Sequence, residues 1–235
     1  MSIYAVSDLH GMLDLYQQIK DFLKPEDKVY CLGDCGDRGP ASWETIKAVL
    51  ADDQFFYLKG NHEDMLIQTM KDYLGITHDF SAERLLNCNG GFSTLQGWCA
   101  ETLEDRQKYY ELLSSLPKKV TYTNKHGINV HLSHAGFSPD VEDTWRDYLW
   151  DRDHFYEPWK GTDEEIVVHG HTPFVYMADA YDIEDAQTLE EDGPIHASWY
   201  CEHHKVGIDC GAFFTKQTLL LNLDTFEEHY FYAKE

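Results

Sequence analysis

The sequence predicts an α/β protein that contains two sheets. In the first third of the chain, short apolar segments alternate with apolar residues at helical spacing, whereas strand-like segments separated by turn residues dominate the last third. The 235-residue chain is 43% apolar and 14% aromatic, as globular proteins are. Because it shows no repeat and no low-complexity linker, we expect one domain over residues 1–235, elaborated by a helical segment at 80–116 and an acidic loop at 177–196.

Three strands, each followed by a helix, open the chain. The strands are predicted at three apolar segments: IYAVS (3–7), KVYCL (28–32) and FFYL (55–58). The helices are predicted where apolar side chains recur at helical spacing: 12–23, 43–50 and 66–74. Strands that alternate with helices favour a largely parallel sheet with helices on both faces.

The middle of the chain is predicted to be helical from 80 to 116, with a break at the NGG of 89–91 and an end at Pro117. We expect this segment to cover the sheet rather than to cap a site. The next strands are predicted at KVTYT (119–123), INVHLS (128–133) and EIVVH (165–169).

The end of the chain, from residue 198 onward, is predicted to form one antiparallel meander. Its four segments are SWYCEHH (198–204), KVGIDC (205–210), KQTLLLNL (216–223) and FEEHYFYA (226–233). The segment at 177–196 contains seven acidic residues and neither lysine nor arginine, which is typical of an exposed loop.

The charge balance limits the partners. Acidic residues number 42 against 19 basic ones, a formal net charge of −23. Nucleic acids and anionic membranes are bound mainly through lysine and arginine, so we expect neither as a partner. The sequence shows no secretory signal and no apolar segment of membrane-spanning length, and its six cysteines form no CxxC pair. We therefore expect a cytoplasmic protein with reduced thiols.

Five predicted strand ends carry polar clusters: SDLHG (7–11), GDCGDRG (33–39), GNHED (60–64), HLSHAG (131–136) and VVHGHTP (167–173). Ligand sites of open α/β sheets form beyond the carboxyl ends of strands, so we expect these clusters to meet. One aspartate or histidine beside a glycine is ordinarily a turn or cap residue, but five such clusters together indicate a site.

The clusters offer mixed oxygen and nitrogen donors, which suit manganese, iron or zinc better than calcium. Six side chains are candidate metal ligands: Asp8, His10, Asp34, Asn61, His134 and His171. Six ligands suit two cations, about 3.5–4 Å apart and sharing one carboxylate, as in phosphate-ester hydrolases. In HGHT, His169 is an alternative ligand, although we favour His171 because a glycine precedes it. We expect His169, like His131, to pack or hydrogen-bond within its strand.

These motifs resemble those of the phosphoprotein phosphatase (PPP) family of calcineurin-like metallophosphoesterases, whose pattern is GDxHG, GDxxDRG, GNHE, HAG and GHT. The chain departs from it only at Ser7, which replaces the first glycine. The resemblance covers residues 3–173, and IDCGA (208–212) is similar to a late strand of the family. The pattern is closest to small bacterial and phage Ser/Thr phosphatases. It implies an α/β/β/α sandwich with two mixed sheets.

The resemblance also implies roles for individual residues. Asp8 and His10 would bind the first metal, Asp34 would bridge, and Asn61, His134 and His171 would bind the second, with Asn61 also near the substrate. Asp37 and His62 would form a pair near the leaving group, with Glu63 behind the ligands. Arg38 and Arg152 would clamp the phosphate, with Arg146 as an alternative to Arg152.

The function implied is that of a phosphomonoesterase with two divalent cations, for which we expect Mn²⁺, with iron and zinc as alternatives. We expect a protein Ser/Thr phosphatase that also accepts phosphotyrosine, acting by in-line attack of a metal-activated water. One alternative is a hydrolase of diadenosine tetraphosphate or another nucleotide, and another is a binding protein without activity. Several basic residues around the site would favour a nucleotide, whereas the acidic 177–196 segment argues against one.

Overall fold

A computed structural model describes residues 1–137, 145–173 and 193–234 of the chain. Its strands are β1 Ile3–Val6, β2 Lys28–Cys31, β3 Phe55–Tyr57, β4 Lys119–Thr123, β5 Asn129–Ser133, β6 Glu165–His169, β7 Ser198–Tyr200, β8 Lys205–Gly207, β9 Gln217–Asn222 and β10 Glu228–Tyr232. Its helices are α1 Leu13–Phe22, α2 Ser42–Leu50, α3 Asn61–Tyr73, α4 Ser81–Cys88, α5 Phe92–Cys99, α6 Leu103–Ser114, α7 Trp145–Trp150 and α8 Ala212–Thr215, with a 3-10 helix at Asp153–Phe155.

The first sheet has the strand order β10-β9-β1-β2-β3. Strands β1, β2 and β3 are parallel, as the alternation of strands and helices predicts, and β9 and β10 add two antiparallel strands beside β1. The carboxyl ends of β1, β2 and β3 therefore lie at one edge. This edge presents three of the five polar clusters.

The second sheet has the order β4-β5-β6-β8-β7. Its central strands β5, β6 and β8 are parallel, and β4 and β7 pair antiparallel at the two edges. Both sheets are thus mixed. The predicted pair of mixed sheets is confirmed.

The predicted meander of the last four strands is wrong. Strands β7 and β8 do form an antiparallel pair, but β8 also pairs in parallel with β6. Strands β9 and β10 join the other sheet, next to β1. The turn residues indicate where each strand ends, but they carry no information on which sheet the next strand joins.

The two sheets pack face to face through one apolar cluster. It combines side chains of the first sheet, such as Ala5 and Leu221, with side chains of the second, such as Leu132 and Val168. On its other face, the first sheet packs against α1, α2 and α3, with Trp43 and Met70 fully buried. Beyond the second sheet, the rings of His154 and Phe155 in the 3-10 helix contact His169. This layering is the predicted α/β/β/α sandwich.

The helical segment at 80–116 consists of α4, α5 and α6, with the predicted break between α4 and α5. Trp98 and Leu113 belong to the core cluster beneath the first sheet, so the segment covers that sheet as expected. The break between α4 and α5 also contacts the loop after β2, because the carbonyl oxygen of Gly90 accepts a 2.9 Å hydrogen bond from the N–H of Arg38. The expectation that the segment only covers the sheet is therefore incomplete.

The acidic loop predicted at 177–196 lies outside the described residues except for 193–196. Among the described helices, none combines the length and the apolar character that crossing a bilayer requires.

Candidate metal centre

The loops after β1 and β2 are joined backbone to backbone. The N–H of Asp8 donates to the carbonyl of Gly33 at 3.2 Å, and the N–H of His10 donates to the carbonyl of Asp34 at 2.9 Å. The third hydrogen bond of the series, from Gly11 to Cys35, measures 2.7 Å. Together these bonds hold the first two polar clusters side by side.

The backbone at the centre is strained. Six candidate site residues adopt the left-handed conformation, with φ between 42° and 67°: Asp8, His10, Asp34, Asp37, Arg38 and His171. They are half of the non-glycine residues in that region within the described part of the chain. Each such residue costs on the order of 1–3 kcal/mol and persists only where its surroundings enforce it. The concentration of strain marks this edge as a functional site.

The carboxylate of Asp34 lies at the middle of the cluster. Its Oδ2 is 3.3 Å from Nε2 of His134 and 3.8 Å from Nε2 of both His10 and His62. Two groups of potential cation ligands share this carboxylate, one with His10 and His62 and the other with His134 and His171. All of these side chains are buried. The arrangement brings together the two-cation set that the spacing predicts and adds His62 to it.

Asn61 and Asp8 complete the cluster. Oδ1 of Asn61 lies 2.8 Å from Nε2 of His134 and 3.2 Å from Nδ1 of His171. Oδ2 of Asp8 accepts the N–H of His171 at 3.0 Å and the hydroxyl of Ser7, while Oδ1 lies 3.8 Å from Nε2 of His10. A Cβ at Gly170 would collide with Ser7 and Asp8, so only glycine permits this approach.

Hydrogen bonds fix the orientation of three imidazole rings. Nδ1 of His10 donates to the carbonyl of Gly36 at 2.9 Å, and Nδ1 of His134 donates to that of Leu32 at 2.8 Å. Nδ1 of His62 donates to Oδ2 of Asp37 at 2.5 Å. When the ring is neutral, each of these bonds leaves Nε2 with a lone pair directed at the cluster, as in histidines that bind metals.

The residues fit a pair of cations. Nε2 of His171 is buried and has no hydrogen-bond partner, a costly state for a polar atom unless a further ligand completes it. The buried carboxylates of Asp8 and Asp34 likewise need positive charge nearby. Histidine nitrogens with carboxylate and amide oxygens are the donors expected for manganese, iron or zinc.

The electrostatics of the cluster are set by burial and by its neighbours. Burial opposes ionisation of Asp34, but the adjacent His134 and His62 hold the pKa of this carboxyl well below its ordinary value. Burial, reinforced by His62, lowers the pKa of His10 well below its ordinary value. Asp34 is therefore an anion and His10 a neutral ring, the protonation states in which both side chains bind cations.

His62 is held by a chain of side chains that starts in α5. The hydroxyl of Thr94 donates to Oδ1 of Asp37 and accepts the Asp37 N–H at 3.0 Å. Nε2 of His62 faces Arg38, whose NH2 nitrogen donates to it at 3.0 Å. Asp37, His62 and Arg38 are thus adjacent.

Both predicted arginines line one cavity of about 580 Å³ together with His171. The NH1 nitrogen of Arg38 donates to Nε2 of His10 at 2.5 Å, and Nε of Arg152 donates to the hydroxyl of Thr172 at 3.1 Å. Arg146 lines a neighbouring cavity, which also includes Arg152. The structure therefore places Arg152, rather than Arg146, beside His171.

The carboxylate of Glu63 joins the loops that follow β2 and β3. Its carboxylate accepts the N–H groups of Asp34, Cys35 and Gly60 at 2.8–3.1 Å and the hydroxyl of Tyr57 at 2.6 Å. One buried side chain thus satisfies donors from two of the polar clusters.

Sequence reasoning missed Asp209 and Thr94. Asp209 is buried two residues beyond β8, and burial together with Asp8 raises the pKa of its carboxyl well above the ordinary value. An aspartate after an apolar strand and near Gly211 is the signal that identified the other clusters, so it could have been found. Thr94 lies inside a helix, where no local pattern indicates a contact with Asp37.

Four further histidines for which the sequence gives an expectation lie outside the centre. His131 contacts Thr121 and Glu165, and Nε2 of His169 lies 2.7 Å from the hydroxyl of Tyr200. His203 and His204 lie in the turn between β7 and β8.

A sandwich of two mixed sheets with histidines and carboxylates at their shared edge defines a metallophosphoesterase. Residues 1–201 match the model of the calcineurin-like phosphoesterases, so the chain belongs to that family. Members of the family hydrolyse phosphoric esters at a dinuclear metal site. The resemblance inferred from the motifs is confirmed.

Two solved structures show the same fold. A proposed diadenosine tetraphosphatase has a TM-score of 0.61 at 16% identity, covering 99% of this chain and 94% of that one. A protein serine/threonine phosphatase from Saccharomyces cerevisiae, similar to human phosphatase PP5, has a TM-score of 0.58 at 15% identity, covering 100% and 81%. At these identities the likeness concerns the fold alone.

Among curated proteins, the symmetrical bis(5'-nucleosyl)-tetraphosphatase of Chromobacterium violaceum is 32% identical over 95 residues, which are 39% of this chain and 34% of that protein. The enzyme of the same name from Photobacterium profundum is 28% identical over 144 residues, 59% of this chain and 46% of that protein. The matches span less than half the length of these relatives.

Proposed function

We propose that this chain hydrolyses a dinucleoside polyphosphate, such as diadenosine tetraphosphate, at a site with two divalent cations. The distribution of arginines carries the proposal. The chain has five: Arg38, Arg84, Arg106, Arg146 and Arg152. Four of them line three cavities, the first of which includes His171 of the candidate metal centre. The first cavity shares Cys88 with the second and Arg152 with the third. In a chain with a net charge of −23, this concentration of guanidinium groups suits a ligand with several phosphates.

The curated relatives support the same substrate class, since both carry the name of a bis(5'-nucleosyl)-tetraphosphatase. Our first expectation, a phosphoprotein substrate, is less well supported. A substrate with a single phosphoryl group would use Arg38 and Arg152. It would not explain why Arg84 and Arg146 line the adjoining cavities.

Six side chains would hold the cations: Asp8, His10, Asp34, Asn61, His134 and His171. Asp34 is the candidate bridge, because both groups of ligand atoms include it. We expect Mn²⁺, with iron and zinc as alternatives. When bound, the two cations supply Lewis-acid activation of water and neutralise charge on the reacting phosphate.

The side chains of the site then position the substrate. Arg38 and Arg152 bind non-bridging phosphate oxygens from the cavity that they share with His171. His62, oriented by Asp37 and Thr94, provides a proton at Nε2 for the leaving oxygen. Water attacks phosphorus in line with that oxygen, and each product is a nucleotide.

The test is a turnover assay on the manganese-loaded protein with three substrates: diadenosine tetraphosphate, a phosphoserine peptide and a phosphotyrosine peptide. We expect the dinucleotide to be preferred. The Asp34→Asn variant is the blank, and we expect it to lose about 10³-fold in kcat while its circular dichroism stays unchanged. Preference for a phosphopeptide would establish a protein phosphatase and overturn the proposal.

A further inference from the structure

Two cavities of similar size border the candidate metal centre, and Arg152 lines both. The Phe214 cavity, about 580 Å³, is lined by Arg38, His171, Pro173, Phe213 and Phe214 besides Arg152. The Trp150 cavity, also about 580 Å³, is lined by Met65, Ala82, Leu85, Arg146 and Trp150 besides Arg152. Each volume is within the range of small-ligand sites, roughly 300–1,000 Å³.

The Phe214 cavity has an exposed aromatic wall. The ring of Phe214 is 59% exposed and packs edge-on against that of Phe213, with 5.0 Å between centroids. Both rings belong to α8, and Asp209 accepts the N–H of Gly211 just before that helix at 2.8 Å. The two rings therefore follow the carboxyl end of β8, which also carries the buried carboxylate of Asp209.

The Trp150 cavity lies between α3, α4 and α7. The Trp150 ring lies 6.2 Å from that of His171, centroid to centroid. Buried Met65 and Leu85, which is 46% exposed, add apolar surface. Arg146 and Arg152 supply positive charge at the same cavity, whose polar edge includes Asp64 and Gln68. This combination of an aromatic ring, apolar walls and guanidinium groups is that of a nucleotide site.

We propose that the two cavities are the two nucleobase subsites for one dinucleoside polyphosphate, with Arg152 at their junction. The inference rests on the proposed function and adds the way in which the substrate is recognised. A dinucleoside polyphosphate has an aromatic base at each end of a polyanionic chain. The site has the matching order: an aromatic cavity, arginines beside the metal ligands, and a second aromatic cavity. A mononucleotide would fill only one of the two cavities.

The experiment blocks each cavity separately, without altering any candidate ligand or arginine. Phe214→Leu removes the exposed ring, and Ala82→Trp fills the Trp150 cavity from α4. Leu85→Ala is a second variant of that cavity, on an exposed position that tolerates change. Phe22→Leu is the control, since Phe22 is 42% exposed and packs against Tyr4 and His229, away from the carboxyl end of β1.

Kinetics are measured with diadenosine tetraphosphate and with p-nitrophenyl phosphate. We expect Phe214→Leu and Ala82→Trp each to raise the KM for the dinucleotide by about 5- to 50-fold, the value of one stacked base. Leu85→Ala should raise this KM less. The double variant Phe214→Leu/Ala82→Trp should raise it by the product of the two single effects, because the two bases bind in separate cavities. Turnover of p-nitrophenyl phosphate should stay within twofold, and the control should match the unmodified protein on both substrates.

Three outcomes would overturn the inference, and they are distinguishable. If the unmodified protein does not cleave the dinucleotide, the proposed function fails and the subsites fail with it. If it does, but the cavity variants retain its KM, the subsites are wrong and the proposed function stands. Equal losses on both substrates would show that the cavities support catalysis in general rather than base recognition.

Discussion

At the scale of single residues, the centre depends on side chains that hold other side chains. The imidazole of His62 is oriented by Asp37, and Asp37 is held twice by Thr94, through its N–H and through its carboxylate. Within the described part of the chain, the hydroxyl of Thr94 bonds to Asp37 and not to a candidate metal ligand or an arginine. It is therefore a positioning residue, and its contribution can be separated from that of the groups that meet the substrate.

We expect Thr94→Val to lower kcat by about 10- to 100-fold, the usual loss when the partner of an active-site group is removed. KM should change little, because the phosphate-binding arginines keep their places. Measuring kcat and KM for the variant against the dinucleotide tests this expectation.

The matched variant is Thr94→Ser, which keeps the hydroxyl and loses one methyl group. It should restore most of the activity. If Thr94→Ser were as inactive as Thr94→Val, packing of the methyl group rather than the hydrogen bonds to Asp37 would be responsible.

At the scale of elements, the break between α4 and α5 connects the helical segment to the site. Gly90 has a φ of +87°, and its carbonyl accepts the N–H of Arg38. A Cβ there would lie 3.0 Å from Cγ of Arg38. The NGG that breaks the helical pattern thus also positions Arg38, which we propose binds phosphate.

The Gly90→Ala variant should reduce kcat/KM at least tenfold, because the added methyl group both strains the backbone by about 1–2 kcal/mol and displaces Arg38. Steady-state kinetics and a thermal unfolding curve measure the two effects. Gly75→Ala is the control, since Gly75 has a φ of +74° and open space around its Cβ position. Equal activity losses in both variants would mean that backbone strain alone is responsible.

Arg84 in α4 is exposed and lies outside the predicted motifs, yet it lines a cavity that shares Cys88 with the Phe214 cavity. We expect Arg84→Gln to raise the KM for diadenosine tetraphosphate by about 2- to 5-fold at low salt, the effect of one exposed charge. The difference should fade in 0.5 M NaCl, where screening acts over about 4 Å.

Lys108→Gln, on helix α6, removes one positive charge from an exposed position and is the control. If both variants raised KM equally, net charge rather than the position of Arg84 would govern affinity, and the arginine argument for a polyphosphate substrate would lose its support.

At the scale of the whole molecule, polar contacts join the two sheets at the end away from the centre. Asp224 follows β9 of the first sheet, and its Oδ1 accepts the hydroxyl of Tyr122 in β4 of the second sheet at 2.8 Å. The ammonium of Lys125 lies 2.6 Å from Oδ2. Burial alone would raise the pKa of this carboxyl, but Lys125 and Tyr122 outweigh it and lower the pKa below its ordinary value.

A carboxyl whose pKa is lowered by folding stabilises the protein above its unfolded pKa, near 4, and this contribution is lost as the pH falls through the lower folded pKa. We therefore expect Asp224→Asn to reduce the free energy of unfolding by about 1–2 kcal/mol at pH 7. The gap between the two proteins should persist at pH 5 and shrink below pH 4.

Urea unfolding at pH 7, 5 and 3.5 measures that gap, with the exposed Asp21→Asn as the matched control. A gap that is the same at all three pH values would show that the ionised form of Asp224 is not what stabilises the contact between the sheets.

Much of this protein follows from its sequence alone. The three βα units, the break at 89–91 and the polar clusters at five strand ends are local patterns, and local patterns encode burial, helical period and turn chemistry. Asp8, Asp34 and Asn61 could therefore be predicted as neighbours before any contact was known, because the carboxyl ends of parallel strands meet at one edge.

Only the tertiary structure decided which sheet receives each late strand, and so it split the predicted meander. Any two strand edges offer the same N–H and C=O groups, so the pairing of β8 with β6 and of β9 with β1 is set by packing of distant segments. The same holds for Thr94 beside Asp37 and for Arg146, which lines one cavity with Arg152. A side chain on a helix reveals its face by its period, but what that face meets is decided by elements far away in the chain.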